Sequence, residues 1–244
     1  MTKPLTRRPW VLSISITIFV ILLLILSNKT LSLTKEDQAY LDSFRHEWHM
    51  PSVAQVHKDF NSEYSFIDQL EHCVINEICH QEISHSLFGN IKYYFENKKG
   101  FCYDRTALIE KMFLYYNFKF RHIFIYYPRN KEKNPGFFDF FRKSTESHAV
   151  VEVQTKKGWV LMDSNADWIG ISKSGKPFTI KELRKDLYDN GKIDLKEECT
   201  GGIPFWQDHP KFNYVYGLYS RNGSFFSPHI GLPEINIRML WYNL

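Results

Sequence analysis

Cysteine is scarce in this chain. Only four occur in 244 residues, too few to staple a disulfide-dense miniprotein, so the fold must rest on an apolar core. Glycine and proline are also few, at 12 and 10. There is no internal repeat and no low-complexity tract, which removes collagen-like and disordered classes. Acidic residues are missing from positions 1–35, which hold Lys3, Arg7, Arg8, Lys29 and Lys35. The other 209 positions carry 26 basic and 27 acidic residues, so the formal charge of +4 belongs to the N-terminal segment. The remainder has no basic footprint, and nucleic acid is excluded as a partner. What is abundant is apolar and aromatic: 43% and 16% of the chain. That suffices for one domain with a proper core, plus an anchor.

The anchor is the run WVLSISITIFVILLLILS, residues 10–27, which contains no charge. As a helix it extends roughly 27 Å, close to the hydrocarbon thickness of a bilayer. Two readings compete, an uncleaved signal anchor and a cleaved signal peptide. The latter has a shorter apolar stretch, roughly 7–15 residues, ending in an A-x-A-like site. Here the run closes on Leu26-Ser27-Asn28-Lys29-Thr30, which favours the anchor. Arg7-Arg8 echoes a twin-arginine signal whose other parts are missing. Three basic residues before the run against two after it predict a cytoplasmic tail at 1–9 and an extracytoplasmic domain, on the periplasmic or extracellular side. Residues 28–50 read as a stalk or linker, and 51–244 as the domain. The lipid bilayer is the partner of residues 10–27.

Apolar spacing predicts helices near 65–79 and 85–95, a turn at 97–100, and a helix over 102–116 with Ala107, Leu108, Met112 and Tyr115/Tyr116 as its stripe. Residues 121–127 (RHIFIYY) predict a strand. Residues 128–146 are a polar and aromatic insert. Residues 148–153 and 159–162 predict a hairpin turning at Lys156-Lys157-Gly158. A further helix is expected at 179–190. The C-terminal stretch, rich in glycine, proline and aromatics, reads as irregular chain draped on the domain. The order predicts an α+β fold, a helix opening onto an antiparallel sheet.

Three segments carry chemistry together: Gly100-Phe-Cys102-Tyr-Asp104, Ser147-His148-Ala-Val-Val-Glu-Val, and Gly158-Trp159-Val-Leu-Met-Asp163. Cys102 stands where a turn becomes a helix, and unpaired N–H groups there favour a thiolate and receive a developing oxyanion. Gly100 permits a tight approach just before it. His148 opens one strand of the hairpin and Asp163 closes the other, so their ends lie side by side. A carboxylate there can hold one imidazole nitrogen while the other faces the thiol, the Cys-His form of triad logic.

G-x-C-x-D at a helix start, then S-H-A-x-V-E-V, then G-W-x-x-x-D, resembles the core of the transglutaminase-like superfamily of papain-like cysteine enzymes. The likeness covers about residues 85–167. It departs from the family pattern at Asn117, where a glycine often stands. The resemblance implies a Cys102–His148–Asp163 triad on a papain-like core, working through a thioester from a peptide or protein amide. Either acyl transfer to an amine or hydrolysis completes the reaction, and no cofactor is involved. In the family a side chain upstream of the cysteine often completes the oxyanion hole with the cysteine N–H, and Tyr94 or Tyr93 is the candidate here, with packing in the core the competing reading. Asp104 also reads as no more than a cap of the first helical turn.

Taken one at a time, a helical cysteine is usually a small buried hydrophobe and a strand histidine is usually just hydrogen-bonded. It is their joint placement that favours catalysis. A catalytically inactive binding or scaffold module tethered to the membrane is the rival reading, and a papain-like protease of another family is a third. Cys73, Cys79 and His80, with His72 or His85, are imaginable metal ligands, but Cys73-x5-Cys79 lacks structural-zinc spacing, and no metal is expected. No acidic loop resembles a calcium site. Within one helix Cys73 and Cys79 stand roughly 9 Å apart and cannot pair, whereas Cys199 with either is open. Trp206, His209, Tyr214 and His229 read as packing residues.

Overall fold

The computed structural model describes residues 9–128, 133–140, 145–191, 193–196, 206, 209–221 and 232–244. The expected tail at 1–9 lies outside it but for Pro9, as do Cys199, His229 and part of the 128–146 insert. The chain folds as α+β. Helix α1, Pro9–Ser27, runs 19 residues without a charge, and its exposed apolar side chains from Ile14 to Leu26 keep 40% to 70% of their surface. Side chains at 10–12 and 23 are outside the described set. Among the described residues, no helix is long and apolar enough to cross a membrane.

The segment expected as a stalk belongs to the domain instead. Residues Lys35–Glu47 form α2, started by a capping box in which Thr34 accepts from the Asp37 N–H and Asp37 accepts from that of Thr34. Leu41 and Phe44 on α2 are wholly buried. Lys111 reaches Asp37 at 2.8 Å. The polar look of 28–40 misled because the apolar stripe of α2 begins only at Tyr40 and Leu41. Helices α3 (Val53–Val56) and α4 (Phe60–Glu77) follow. On α4, Phe66, Ile67, Leu70 and Val74 recur at helical spacing and are buried. The helix expected at 85–95 divides into a short 3-10 turn at His85–Leu87 and α5, Ile91–Asn97. The break falls at Gly89, with φ 72°, and Asn90 caps the new start through the Tyr93 N–H.

Strands β1 (Cys79–His80) and β2 (Lys99–Gly100) pair in parallel just ahead of α6, Cys102–Tyr115. Then come β3 (Phe120–Tyr126), a one-turn helix α7 (Phe137–Phe140), β4 (Ser147–Thr155), β5 (Gly158–Asp163) and α8 (Ile180–Asn190). The tail is less irregular than expected: β6, Asn213–Tyr216, joins the main sheet, whose order is β5-β4-β3-β6. It pairs antiparallel with β3, Ile123 against Tyr216. Its Asn-Tyr-Val-Tyr sequence is too short for alternation to declare a strand, and the free edge of β3 recruits it. Strands β7 (Leu218–Ser220) and β8 (Glu234–Ile235) pair separately, and α9 spans Ile237–Leu240.

The sheet buries both faces, each with alternate residues of its strands. Val151, Val153, Val160 and Met162 pack with α2, α4, α5 and α6. Ile123, Ile125, Val150 and Leu161 pack with Trp168, Ile180, Leu183 and Phe212. Helix α6 is fixed to β3 by a buried polar link: His122 Nδ1 lies 2.7 Å from Glu110 Oε1, and Tyr219 on β7 donates to Glu110 Oε2 at 3.1 Å. A smaller cluster at the opening of α6 joins Cys102 and Tyr103 to Phe124, Ala149, Leu218 and Ile235.

Candidate active site

Phe101 occupies the N-cap of α6 in extended conformation and offers no side-chain hydrogen bond to the N–H groups of the first turn. The N–H groups of the first turn, beginning with Cys102, therefore keep their partial positive charge. What holds the turn is Asp104, whose Oδ2 accepts from the Phe101 N–H at 2.9 Å while Oδ1 accepts from the Tyr94 hydroxyl at 3.0 Å. Burial raises the Asp104 carboxyl to about 6, against the lowering effect of those two bonds. Gly100 is required by close approach: a Cβ there would meet Asp104 Cβ at 2.8 Å. Tyr94, the oxyanion-hole candidate with packing as its competing reading, is buried with its hydroxyl engaged. Its one hydroxyl proton goes to Asp104, and its oxygen accepts from the Gly89 N–H at 2.7 Å.

His148 and Asp163 meet at the open end of the hairpin. Asp163 is registered against Val150, two residues along β4 from His148 and so on the same face. His148 Nε2 stands 2.7 Å from Asp163 Oδ1. With Nε2 facing Asp163, Nδ1 is the ring nitrogen available to the Cys102 thiol, whose influence on the ring raises its pKa. Burial works to lower the His148 pKa, but the Asp163 carboxylate and the Cys102 contact outweigh it and raise the ring to about 10. An imidazolium at neutral pH is the counter-ion a thiolate requires.

Main-chain ties lock the three segments. The Thr106 hydroxyl lies 2.8 Å from the Cys102 carbonyl and 3.2 Å from that of Ala149. The Ser164 hydroxyl lies between the same two carbonyls, at 3.0 and 3.3 Å. Each hydroxyl has one proton, so the pair can satisfy both oxygens. Arg105, one turn into α6, is buried, and among the described residues no carboxylate meets its guanidinium. It donates to the carbonyls of Ile75, Ile78 and Ser164 and to Asn165 Oδ1. The end of α4, the start of α6 and the loop after β5 are thus bound by one side chain.

The residue that sequence reasoning missed is His80, weighed only as a metal ligand. Pairing of β1 with β2 sets it opposite Gly100. Its ring stacks on Phe101 at 4.3 Å and lies 3.4 Å from the Asn165 amide. Partial burial of the ring, then Arg105 and His148, lower its pKa, while Asp163 opposes them. It stands at the rim beside His148 and Asp163, where burial and its basic neighbours disfavour its charged form. The signal in the sequence was faint: a two-residue strand has no periodicity to read. Trp159 stands away from the triad, packed edge-on against Tyr242 and under the Arg121 guanidinium.

The centre itself is closed. Cys102 keeps 1% of its surface, His148 7% and Asp163 none. An open groove of ≈ 1060 Å³ lies elsewhere, between α8, β6 and the last residues of the chain, and contains none of the three. Among the described residues no group of three or more His, Cys, Asp or Glu is arranged to hold a metal ion, and Cys73, Cys79 and Cys102 are free thiols. No family model matches the chain, and no curated protein matches it.

Proposed function

We propose that this chain is a thiol-dependent enzyme of the transglutaminase-like, papain-like kind, acting on peptide or protein amides by acyl transfer or hydrolysis. The observation that carries the reading is the 2.7 Å contact of His148 Nε2 with Asp163 Oδ1, with a cysteine at the start of α6 as the ring's other partner. The Cys102 sulfur attacks the amide carbonyl, and the carbonyl π pair moves onto oxygen, where the Cys102 N–H stabilises it. Collapse breaks the C–N bond, and the His148 imidazolium gives its proton to the departing amine. A water or amine then loses a proton to the neutral ring and attacks the thioester. The C–S bond breaks, restoring the thiolate beside the imidazolium. Asp163 holds the ring's orientation throughout.

The same reading sets the domain on the outer face of a membrane. What supports this is the sequence of residues 10–27, uncharged and roughly 27 Å long as a helix, although the described part of α1 falls short of a full span. The described apolar side chains of α1 from Ile14 to Leu26 are exposed, and the basic residues before it favour a cytoplasmic N-terminus.

A second reading rests on the burial of Cys102 to 1% of its surface: a membrane-tethered module that keeps the fold without turnover. Iodoacetamide labelling near pH 6 separates the two. The enzyme reading expects Cys102 to react well ahead of an ordinary thiol and His148→Ala to slow it. An ordinary rate in the wild type sinks it.

A further inference from the structure

Glu71 lies in the fourth turn of α4 with 1% of its surface exposed, and neither carboxylate oxygen has a hydrogen-bond partner. Asp163 Oδ2, the oxygen not used by His148, is likewise buried and unpartnered. The two are brought together by the packing of α4 on the loop after β5. Arg105 bridges the Ile75 carbonyl, one turn past Glu71, to the Ser164 carbonyl, next to Asp163. His72 Nδ1 lies 3.6 Å from Asp167 Oδ2 on the same seam. The charged groups acting on Glu71 are Asp163, Asp167 and Asp68, and all are acidic. The nearby Asp163 N–H offsets them only in part. The Arg105 guanidinium is spent on carbonyls and on Asn165, and His148 lies across Asp163.

Two buried carboxyls with unpartnered oxygens on one dry seam resist both being charged. Asp163 has His148 Nε2 and the Asn165 N–H, at 2.9 Å, beside its Oδ1, whereas the Asp163 N–H near Glu71 lies outside hydrogen-bond geometry and lends it little. The proton belongs on Glu71.

We propose that Glu71 is a positioning residue for the triad: a buried neutral acid whose O–H is given to the unpartnered Oδ2 of Asp163, so that Oδ1 is held toward His148. One bond then satisfies both orphaned carboxyls, and the centre keeps a single negative charge on its acidic side. The positioning role rests on the triad reading above; the location of the proton does not.

The test uses the full chain in two arms. In the infrared, wild type at pH 7.5 should show a protonated-carboxyl stretch that Glu71→Gln removes. Absence of such a band overturns the proposal. In labelling, the rate of iodoacetamide attack on Cys102 is followed against pH. Glu71→Gln, neutral and still a donor, should retain the wild-type profile. Glu71→Leu, which gives Oδ2 nothing, should lose about tenfold in rate and displace the profile, with circular dichroism checking that it is folded. A wild-type profile in Glu71→Leu refutes the positioning role. If Glu71→Leu fails to fold, Glu71→Met, which likewise gives Oδ2 no donor, takes its place with the same expected loss, and a changed profile in Glu71→Gln refutes the positioning role. An ordinary Cys102 thiol in the wild type would count against the enzyme reading, and the infrared arm alone would then uphold or overturn the shared proton.

Discussion

Asp163→Asn removes one charge from the centre while keeping an oxygen for His148 Nε2, so its consequence can be worked out. In the wild type the ring is raised from 6.5 to about 10, burial being overcome by the Asp163 charge and bond and by Cys102. At about 1.36 kcal/mol per unit this corresponds to on the order of 5 kcal/mol. The raise means the folded state binds the His148 proton more tightly than the unfolded chain does. Stabilisation is therefore complete below the unfolded pKa near 6.5 and is lost as pH climbs through about 10. Asp163→Asn removes the largest opposing influence, and burial then drives the ring toward its ordinary value or below. The assay is histidine C2-proton NMR from about pH 5 to 10, with urea unfolding at each pH. In the wild type His148 should stay protonated through about pH 8, and in the variant it should titrate near or below 6.5. Unfolding is compared in a Cys102→Ser background, which removes the thiol's own titration. There the protein that keeps Asp163 should lose stability as pH rises above 6.5, over a narrower window than in the wild type because the Cys102 contribution to His148 is gone, and the one that also carries Asp163→Asn should be nearly flat. Cys102 labelling at pH 6 should fall about a hundredfold in Asp163→Asn. A wild-type His148 titrating near 6.5, or equal pH slopes in the two proteins, refutes the coupling.

Gly100→Ala forces a Cβ to 2.8 Å from Asp104 Cβ, and the overpacking should cost about 1–3 kcal/mol, read as a lower urea midpoint. Tyr94→Phe removes a buried hydroxyl bonded to Asp104 and Gly89. It should cost about 1–3 kcal/mol of stability and leave Cys102 labelling unchanged; a large loss of labelling at intact stability would restore its oxyanion role. Phe44→Ala should cost about 3–5 kcal/mol by the same denaturation, because α2 is part of the core. A neutral result would return 28–50 to a stalk. Arg105→Met strands the carbonyls of Ile75, Ile78 and Ser164 and should cost about 3 kcal/mol or more, with slower labelling because the loop at 164–165 loses its tie.

The sequence alone determined the parts that local physics governs. The long uncharged run at 10–27, the helix from Cys102, the strand after it and the hairpin closing at Asp163 all announce themselves by period, turn residues and length. Two of the three proposed catalytic groups follow directly, because an antiparallel hairpin brings its open ends together whatever surrounds it. Tertiary structure decided what depends on neighbours far along the chain. Buried Leu41, Phe44, Trp48 and Met50 tied 35–50 to the core, and a vacant edge on β3 made a strand of 213–216. The hydroxyl of Tyr94 went to Asp104, which left Tyr94 no proton for an oxyanion. His80 and Glu71 came to the centre only through packing, His80 by a two-residue parallel pairing and Glu71 by the seat of α4 against the loop after β5. Side-chain periodicity reports which face of an element is buried. It carries no information on which buried polar groups will meet, because that depends on how separate elements are stacked and on which carboxyl can least bear its charge once water is gone.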